Sequence, residues 1–411
     1  MLKNLFLRNI YARGLIVGFN YLSTFFALAI LTRNLDLTNF SLITSVMVIS
    51  HILSTIAGMG ASYFAISFFG NEKNNDILGQ KVSKMIFTRL YFALIIGVIF
   101  LIYCSFFDFY EKLIIYGAVL YIIFANLVNM WFFQAINDPS KLVVPNFISR
   151  IFFVIAVYFF INNNNYYLLI YMQALSFFIT AFFGHIYALR IIKYNFINIS
   201  EFFETFFSMF GYCISNLLTY SFHSLWIFGV DKSNSAELAM FNLLDFFYRG
   251  VFTLNSFIQE NLSSLFIAKQ VNNRFFYLLS VSIFIIISYI FSIFFYEDIF
   301  LLIYTDKFTG ILDSFFILLN TVFIYSIESV FLYPVLGINK SFTFVNKINN
   351  FFGFMSILLI IITILIMPLS LIQICYVILF LTIFKFISIV IFIKPSVIIE
   401  SILRNSKLKK P

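Results

Sequence analysis

MIFTRLYFALIIGVIFLIYCSFF, residues 85–107, carries Arg89 as its single charge. At about 1.5 Å per residue, a helix over this run reaches about 35 Å, enough to cross a hydrocarbon core of about 30 Å. A membrane β-strand would instead alternate apolar and polar residues over about 10 positions. Backbone groups in hydrocarbon must bond within their own segment, so the run reads as a spanning helix. The whole chain is built this way. It is 62% hydrophobic and only 11% charged, where a soluble domain carries about 25% charged residues. Burying that excess requires lipid.

Similar runs lie at 12–32, 40–69, 113–136, 143–161, 166–189, 205–229, 238–264, 275–296, 314–336, 348–367 and 371–393, so about twelve spans are expected. The run 40–69 is too long for one straight crossing and should tilt or project past the bilayer. The start, MLKNLFLRNIYARG, is basic and leads straight into an apolar run, which reads as an uncleaved first span rather than a signal peptide. Cys104, Cys213 and Cys375 all fall inside apolar runs and form no disulfide framework. The three histidines sit on separate runs, so neither a metal centre nor a cofactor is expected.

Loop charge sets the orientation. Of the 26 Lys and Arg, nineteen sort to one side, from Lys3, Arg8 and Arg13 through Arg190 and Lys193 to the basic tail. Four (Arg33, Lys112, Lys232 and Lys307) sort to the other, and Arg150, Arg249 and Lys385 stay within spans. The positive-inside rule then puts both termini in the cytoplasm. The net charge of +8 is thus mostly a topology signal, and no one-faced basic cluster suggests nucleic acid. The longest cytoplasmic connection, 190–204, separates six spans from six. This suggests two six-helix bundles, 1–196 and 197–411, around a central cavity, as in duplicated transporters.

The eighth span, NLLDFFYRGVFTLNSFIQENL at 242–262, interrupts the oil. Asn242, Asp245, Arg249, Thr253, Ser256, Glu260 and Ser263 follow spacings of three and four, which is one helical face. The seventh span repeats the pattern with Ser208, Tyr212, Ser215, Thr219 and His223. The first offers Arg13, Asn20 and Thr24, and the second Thr44, His51, Thr55 and Ser62. Such faces belong against a polar interior. Asp245 and Arg249 could instead be a self-neutralising pair in a dry seam. Yet an intramembrane charge costs about 2.5–3.5 kcal/mol even on the lenient insertion scale. An i, i+4 pair returns only about 0.2–0.5 kcal/mol.

Arg150 lies about eight residues into its span, roughly 12 Å deep, where it could contact a ligand. Arg89 and Lys385 lie nearer the cytoplasmic end and should snorkel. Glu328 sits mid-span and reads either as a proton or cation site or as a protonated acid in a seam. His51, His185 and His223 read first as hydrogen-bonded interior histidines. The first six spans contain no Asp or Glu, whereas the second half holds Asp245, Glu260 and Glu328. Arginines in a cavity suit an anion, because the planar guanidinium fork matches phosphate oxygens. Cation coupling would then fall to Asp245 and Glu328.

Three stretches resemble the O-antigen type polysaccharide flippases of the multidrug/oligosaccharidyl-lipid/polysaccharide exporter superfamily. LTRNLDLTNFSLITSVMVISHILSTIAGMGASYFAISFF (31–69) is similar to that family's first hairpin, with its L-x-R-x-L turn and G-x-G stretch. DKSNSAELAMFNLLDFFYRGVFTL (231–254) resembles its junction of spans seven and eight. YTDKFTGILDSFFILLNTVFIYSIESVFLYPVLGINKSFTFVNKINNFFGF (304–354) resembles its tenth and eleventh spans. The resemblance implies a bacterial inner-membrane flippase, not an enzyme, which carries undecaprenyl-pyrophosphate-linked oligosaccharide outward for surface polysaccharide or lipopolysaccharide synthesis. Its partners would be that lipid-linked glycan, membrane lipid and other polysaccharide-assembly proteins. The expected substrate face comprises Arg249, Arg150, Asp245, Arg13, Arg89, Asn242, Asn20, His51 and His223. Arg249 would contact pyrophosphate, with Asp245 orienting it and Arg150 assisting from the other bundle. Two other classes remain open: a cation-coupled drug antiporter of the same superfamily, and a membrane polysaccharide polymerase. The arginines weigh against the first, and the lack of a large charged outer loop against the second.

Overall fold

The computed structural model of the chain describes all residues except 1, 70–71, 73, 108–110, 137, 231–233, 268–273, 304, 330–341, 367–368 and 393–411. Within helices, the side chains at 2–7, 10, 63, 66–67, 256, 259–267, 274–280, 299, 302–303, 306–307 and 342–346 are also undescribed. The side chains of Ser256, Glu260 and Ser263, the end of the tenth predicted span, Lys232 and the basic tail therefore lie outside the described residues.

Every predicted span holds at least one helix among the described residues. The helices are α1 (Leu2–Asn34), α2 (Leu37–Gly58), α3 (Ala61–Phe69), α4 (Asn75–Phe107), α5 (Lys112–Leu127), α6 (Met130–Ala135), α7 (Val143–Phe160), α8 (Leu168–Leu189) and α9 (Ile199–Tyr220). They continue as α10 (Ser235–Ile267), α11 (Arg274–Phe294), α12 (Tyr296–Ile303), α13 (Leu312–Ile327), α14 (Phe342–Ile366) and α15 (Leu371–Phe392). Among the described residues, nine helical segments are long and apolar enough to cross a membrane. The fold is all-α and the chain is a multi-pass membrane protein. On α4, Leu94, Ile95, Val98, Ile99 and Ile102 are exposed along one face. That stripe is intolerable in water and suits lipid.

Local sequence explains the helix ends. Asp36 caps α2, its Oδ1 accepting from the Asn39 backbone N–H at 2.7 Å. At the start of α9, Asn198 Oδ1 accepts from Glu201 N at 2.8 Å and Glu201 Oε2 accepts from Asn198 N at 3.0 Å, a reciprocal capping box. That backbone hydrogen bond, and then Lys84, hold the Glu201 carboxyl below its usual range.

The long second run, expected to tilt or project past the bilayer, is two helices rather than one. It breaks at Met59 and Gly60, which both take left-handed backbone angles (φ 51° and 65°). A Cβ on Gly60 would stand 2.6 Å from the Cβ of Tyr212, so only glycine permits this approach of α9. The Cys213 thiol donates at 3.4 Å to Ile56 O in the last turn of α2, which also accepts from Met59 N at 3.1 Å. The fourth predicted span also breaks, between α5 and α6. There Leu127 O accepts from His185 Nε2 at 2.9 Å, and Val128 O accepts from Arg89 Nη1 at 3.4 Å. Non-helical backbone at membrane depth needs such partners. Because Leu127 O can only accept, the His185 proton sits on Nε2, leaving Nδ1 to accept from the Tyr194 hydroxyl at 2.8 Å.

The chain divides into two compact units, Met1–Leu217 and Leu218–Pro411. The division falls inside α9. The first turns of α9 belong with unit 1: Phe206 stacks edge-on against Phe92 of α4 with ring centroids 5.0 Å apart, and Lys84 pairs with Glu201 at 3.3 Å. In unit 1, α5 packs against α8 and α1 against α7, over a core that includes Met59, Phe69, Met85, Trp131, Phe132 and Phe133. In unit 2, α13 packs against α15, α11 and α10.

Orientation is directly measurable. Reporter fusions after Asn163 and Asp231 are expected to read outside, and fusions after Asn74 and Lys193 inside. Asp231 itself lies outside the described residues. Reversed signals at two of these sites would overturn the cytoplasmic placement of the termini.

Candidate functional site

In unit 2 the polar cluster forms where α9 ends and α10 passes. After Tyr220 the chain turns into a 3-10 helix, Ser224–Phe228. The turn is pinned to α14: Ser221 Oγ donates to Gly353 O at 2.9 Å, and Ser356 Oγ donates to Ser221 O at 2.6 Å. A Cβ on Gly353 would lie 2.6 Å from Leu218 O, so this approach requires glycine. The turn delivers His223 and Ser224 to Asp245 on α10. His223 Nδ1 lies 3.1 Å, and Ser224 Oγ 2.7 Å, from Asp245 Oδ1. Ser224 Oγ is also 2.6 Å from His223 Nδ1.

One turn further along α10, Arg249 Nε lies 2.8 Å from Asp245 Oδ2. Its N–H is not aimed along this contact, so the attraction is chiefly ionic. The guanidinium carbon sits 4.4 Å from the Phe246 ring centroid. Its Nη2 is buried with no hydrogen-bond partner among the described residues. Asp245 is 3% exposed and His223 also 3%, while the Arg249 side chain is 14% exposed. Asn242, one turn before Asp245 on the same face, is fully buried. Asp245 thus anchors Arg249 and leaves part of its fork uncommitted.

Glu328 lies elsewhere in unit 2, at the end of α13. Lys385 Nζ on α15 reaches Glu328 Oε1 at 3.0 Å. Both are buried, so Lys385 does not snorkel as its position suggested. A buried carboxylate offers the ammonium more than a partial reach toward the headgroups does.

Unit 1 holds a different chemistry. Arg150 on α7 donates from Nε to Asn20 Oδ1 at 2.6 Å and from Nη1 to Ser176 Oγ at 3.4 Å. Asn146 Nδ2 donates to the same Asn20 oxygen at 3.0 Å. The Phe177 ring lies 5.1 Å from the guanidinium carbon. Arg89 is equally buried, with Nη2 donating to Asn126 Oδ1 at 3.3 Å; it does not snorkel either, being drawn to the freed Val128 carbonyl. Arg13 donates to Gln134 O at 3.4 Å. His51 Nδ1 meets the Tyr121 hydroxyl at 3.4 Å. No ion pair joins Arg89 or Arg150 to an acid among the described residues, and no acid lies in the predicted spans of this half.

The structure therefore gathers Asp245, Arg249 and His223 into one cluster, and Asn20 with Arg150 into another. Arg89 serves the backbone at the α5–α6 break, and Arg13 the last turn of α6. Glu328 stands apart from Asp245, paired with a lysine. Sequence reasoning missed Ser224, Asn146, Ser176 and Lys385 as partners. Among the described residues, no group of three or more His, Cys, Asp or Glu could hold a metal ion.

No protein-family model and no curated protein matches the sequence. The fold does match solved membrane transporters. One is the inward-facing conformation of a multidrug resistance MATE family transporter of the MOP superfamily, at 13% identity and TM-score 0.60, covering 94% of this chain and 96% of that one. The eukaryotic MATE transporter AtDTX14 matches at 12% identity and TM-score 0.61, covering 98% and 100%. A MOP superfamily transporter from Pyrococcus furiosus, described as having a binding pocket of reverse polarity that suggests a different function, matches at 12% identity and TM-score 0.58, covering 100% and 97%. At these identities the likeness establishes the fold.

Proposed function

We propose that this chain is a membrane exporter that carries a lipid-linked, pyrophosphate-bearing oligosaccharide. The cargo would be undecaprenyl-pyrophosphate-linked, moved from the inner to the outer leaflet of a bacterial cytoplasmic membrane. The observation that carries this reading is the distribution of buried charge. Unit 1 buries Arg89 and Arg150 with no acidic partner among the described residues, while in unit 2 Asp245 and Glu328 are each matched by a base. An uncompensated buried cation is costly, and an anionic cargo would offset that cost. Arg249, oriented by Asp245 and with Nη2 uncommitted, offers unit 2 a fork for a pyrophosphate oxygen. Transport by alternating access needs no covalent step. It needs a shielded path for the headgroup while the lipid tail stays in hydrocarbon.

The second reading is a cation-coupled drug antiporter. It is favoured by the names of the solved neighbours, among them the inward-facing and the outward-facing conformation of a multidrug resistance MATE family transporter. On that count alone it is the better supported of the two. Against it stand the acids: a cationic drug needs a carboxylate open to it, and Asp245 and Glu328 are engaged by Arg249 and Lys385. The Pyrococcus furiosus neighbour, described as having a pocket of reverse polarity, supports the view that this fold accommodates cargo of either sign. Ion coupling through Asp245 or Glu328 belongs to both readings.

Thermal unfolding in detergent separates them. Inorganic pyrophosphate is expected to raise the wild-type midpoint, less so at high salt, because ligands that bind only the folded state stabilise it by mass action. Arg150→Leu should remove most of the shift. A cationic dye that stabilises the protein while pyrophosphate does not would overturn the anionic reading.

A further inference from the structure

The surroundings of Lys385 in unit 2 form a complete ammonium-recognition set. Glu328 Oε1 is 3.0 Å from the lysine nitrogen. The Phe222 and Tyr325 ring centroids stand 4.9 and 5.3 Å from it, within the roughly 6 Å at which a cation is attracted to a ring face. Lys385 is 4% exposed and Glu328 fully buried. A carboxylate and two aromatic faces around one nitrogen are what a protein uses to bind an alkylammonium ion. Here the ligand is the chain's own side chain.

We infer that Lys385 is a tethered cation filling a cation site made by Glu328, Phe222 and Tyr325, and that any external cation reaching Glu328 must first displace it. The site goes beyond the cargo reading and does not depend on it. Its ligand class is a small primary ammonium ion. Three features argue for a filled site rather than a simple ion pair. The rings are aimed at the charge and not merely at the lysine stem. The set draws on three separate elements: the turn after α9 (Phe222), the end of α13 (Tyr325, Glu328) and α15 (Lys385). Finally, the aromatic wall continues, with Tyr325 stacked on Phe252 at 5.0 Å, Phe252 lying 5.8 Å from His223, and His223 lying 4.8 Å from Tyr248. It therefore runs from this site to the Asp245 cluster. A lysine that enters or leaves the box changes the charge beside that wall, and so gives unit 2 an internal counterpart to an exchanged ion.

The test is chemical replacement of the side chain in the purified full-length protein. Lys385→Ala empties the box. n-Propylammonium chloride should then raise its unfolding midpoint by several degrees over potassium chloride at equal ionic strength. The wild type should show no difference between the two salts, and neither should the charge-neutral Glu328→Gln, Lys385→Ala pair. An unresponsive Lys385→Ala protein, or a wild type that responds as strongly, would overturn the inference. A measurement on the unmodified protein stands beside it in case Lys385→Ala does not fold. The wild-type midpoint should be the same in sodium and potassium salts. A sodium-specific rise that disappears in Glu328→Gln would show Glu328 open to free cations and sink the tethered-cation assignment.

Discussion

Arg150→Leu is expected to abolish export while the protein inserts and accumulates at least as well as the wild type. The two halves of that expectation have separate causes. A charged side chain at the centre of a spanning helix costs about 2.5–3.5 kcal/mol on the insertion scale, and Leu is favourable there. The loss is limited to the bonds that Arg150 makes with Asn20 and Ser176 and its contact with the Phe177 ring. The orphaned Asn20 oxygen keeps its bond from Asn146. Stability should therefore change little or improve. Function should not survive, because one of the two buried arginines unpaired with any described acid would be gone. Export measured as surface glycan, beside abundance in the membrane fraction, checks both halves. Normal export would remove Arg150 from the cargo path, and a sharp fall in abundance would mark it as structural.

The Asp245–Arg249 pair should give the second large effect. Arg249→Lys keeps the charge but loses the fork. With a charge-assisted hydrogen bond worth about 1.5–3 kcal/mol, export should fall roughly 10- to 100-fold. Arg249→Ala also leaves Asp245 buried without its base. Breaking one side of such a pair costs about 3–5 kcal/mol, softened here by the donors His223 and Ser224. Replacing Asp245 and Arg249 together with Leu separates binding from seam packing. A dry seam tolerates the swap, since a buried pair exchanged for apolar groups is often neutral. The cost here should stay confined to His223 and Ser224, about 1–3 kcal/mol for each donor left unpaired, with export lost. Normal surface glycan in cells that depend on it would exclude a binding role for both residues.

The sequence already carried the helices, because apolar runs of spanning length leave the backbone little choice. It also carried the Asp245–Arg249 spacing on the eighth span: the two side chains meet, and His223, from a separate run, joins them. What it could not show was the pairing across helices. Lys385 lies about eight residues from the end of its predicted span, as Arg150 lies about eight from the start of its own. Depth alone cannot tell a buried lysine from a snorkelling one; the partner on α13 decides, and it is remote in sequence. The breaks at Met59–Gly60 and between α5 and α6 were hidden for a related reason. Apolar composition runs through both, and the side chains that bond the backbone there, Arg89, His185 and Cys213, come from other helices. Arg89 therefore read as a snorkelling arginine from sequence and proves to be a backbone cap in the fold.

Transport by the purified protein in sealed vesicles tests the central claim most directly. Two labelled cargoes are followed under the same ion gradients: a short-chain polyprenyl-pyrophosphate oligosaccharide and a cationic dye. The expected result is movement of the pyrophosphate lipid between leaflets, abolished by Arg150→Leu, with no dye transport. Gradient-driven movement of the dye, with the pyrophosphate lipid left in its original leaflet, would contradict it.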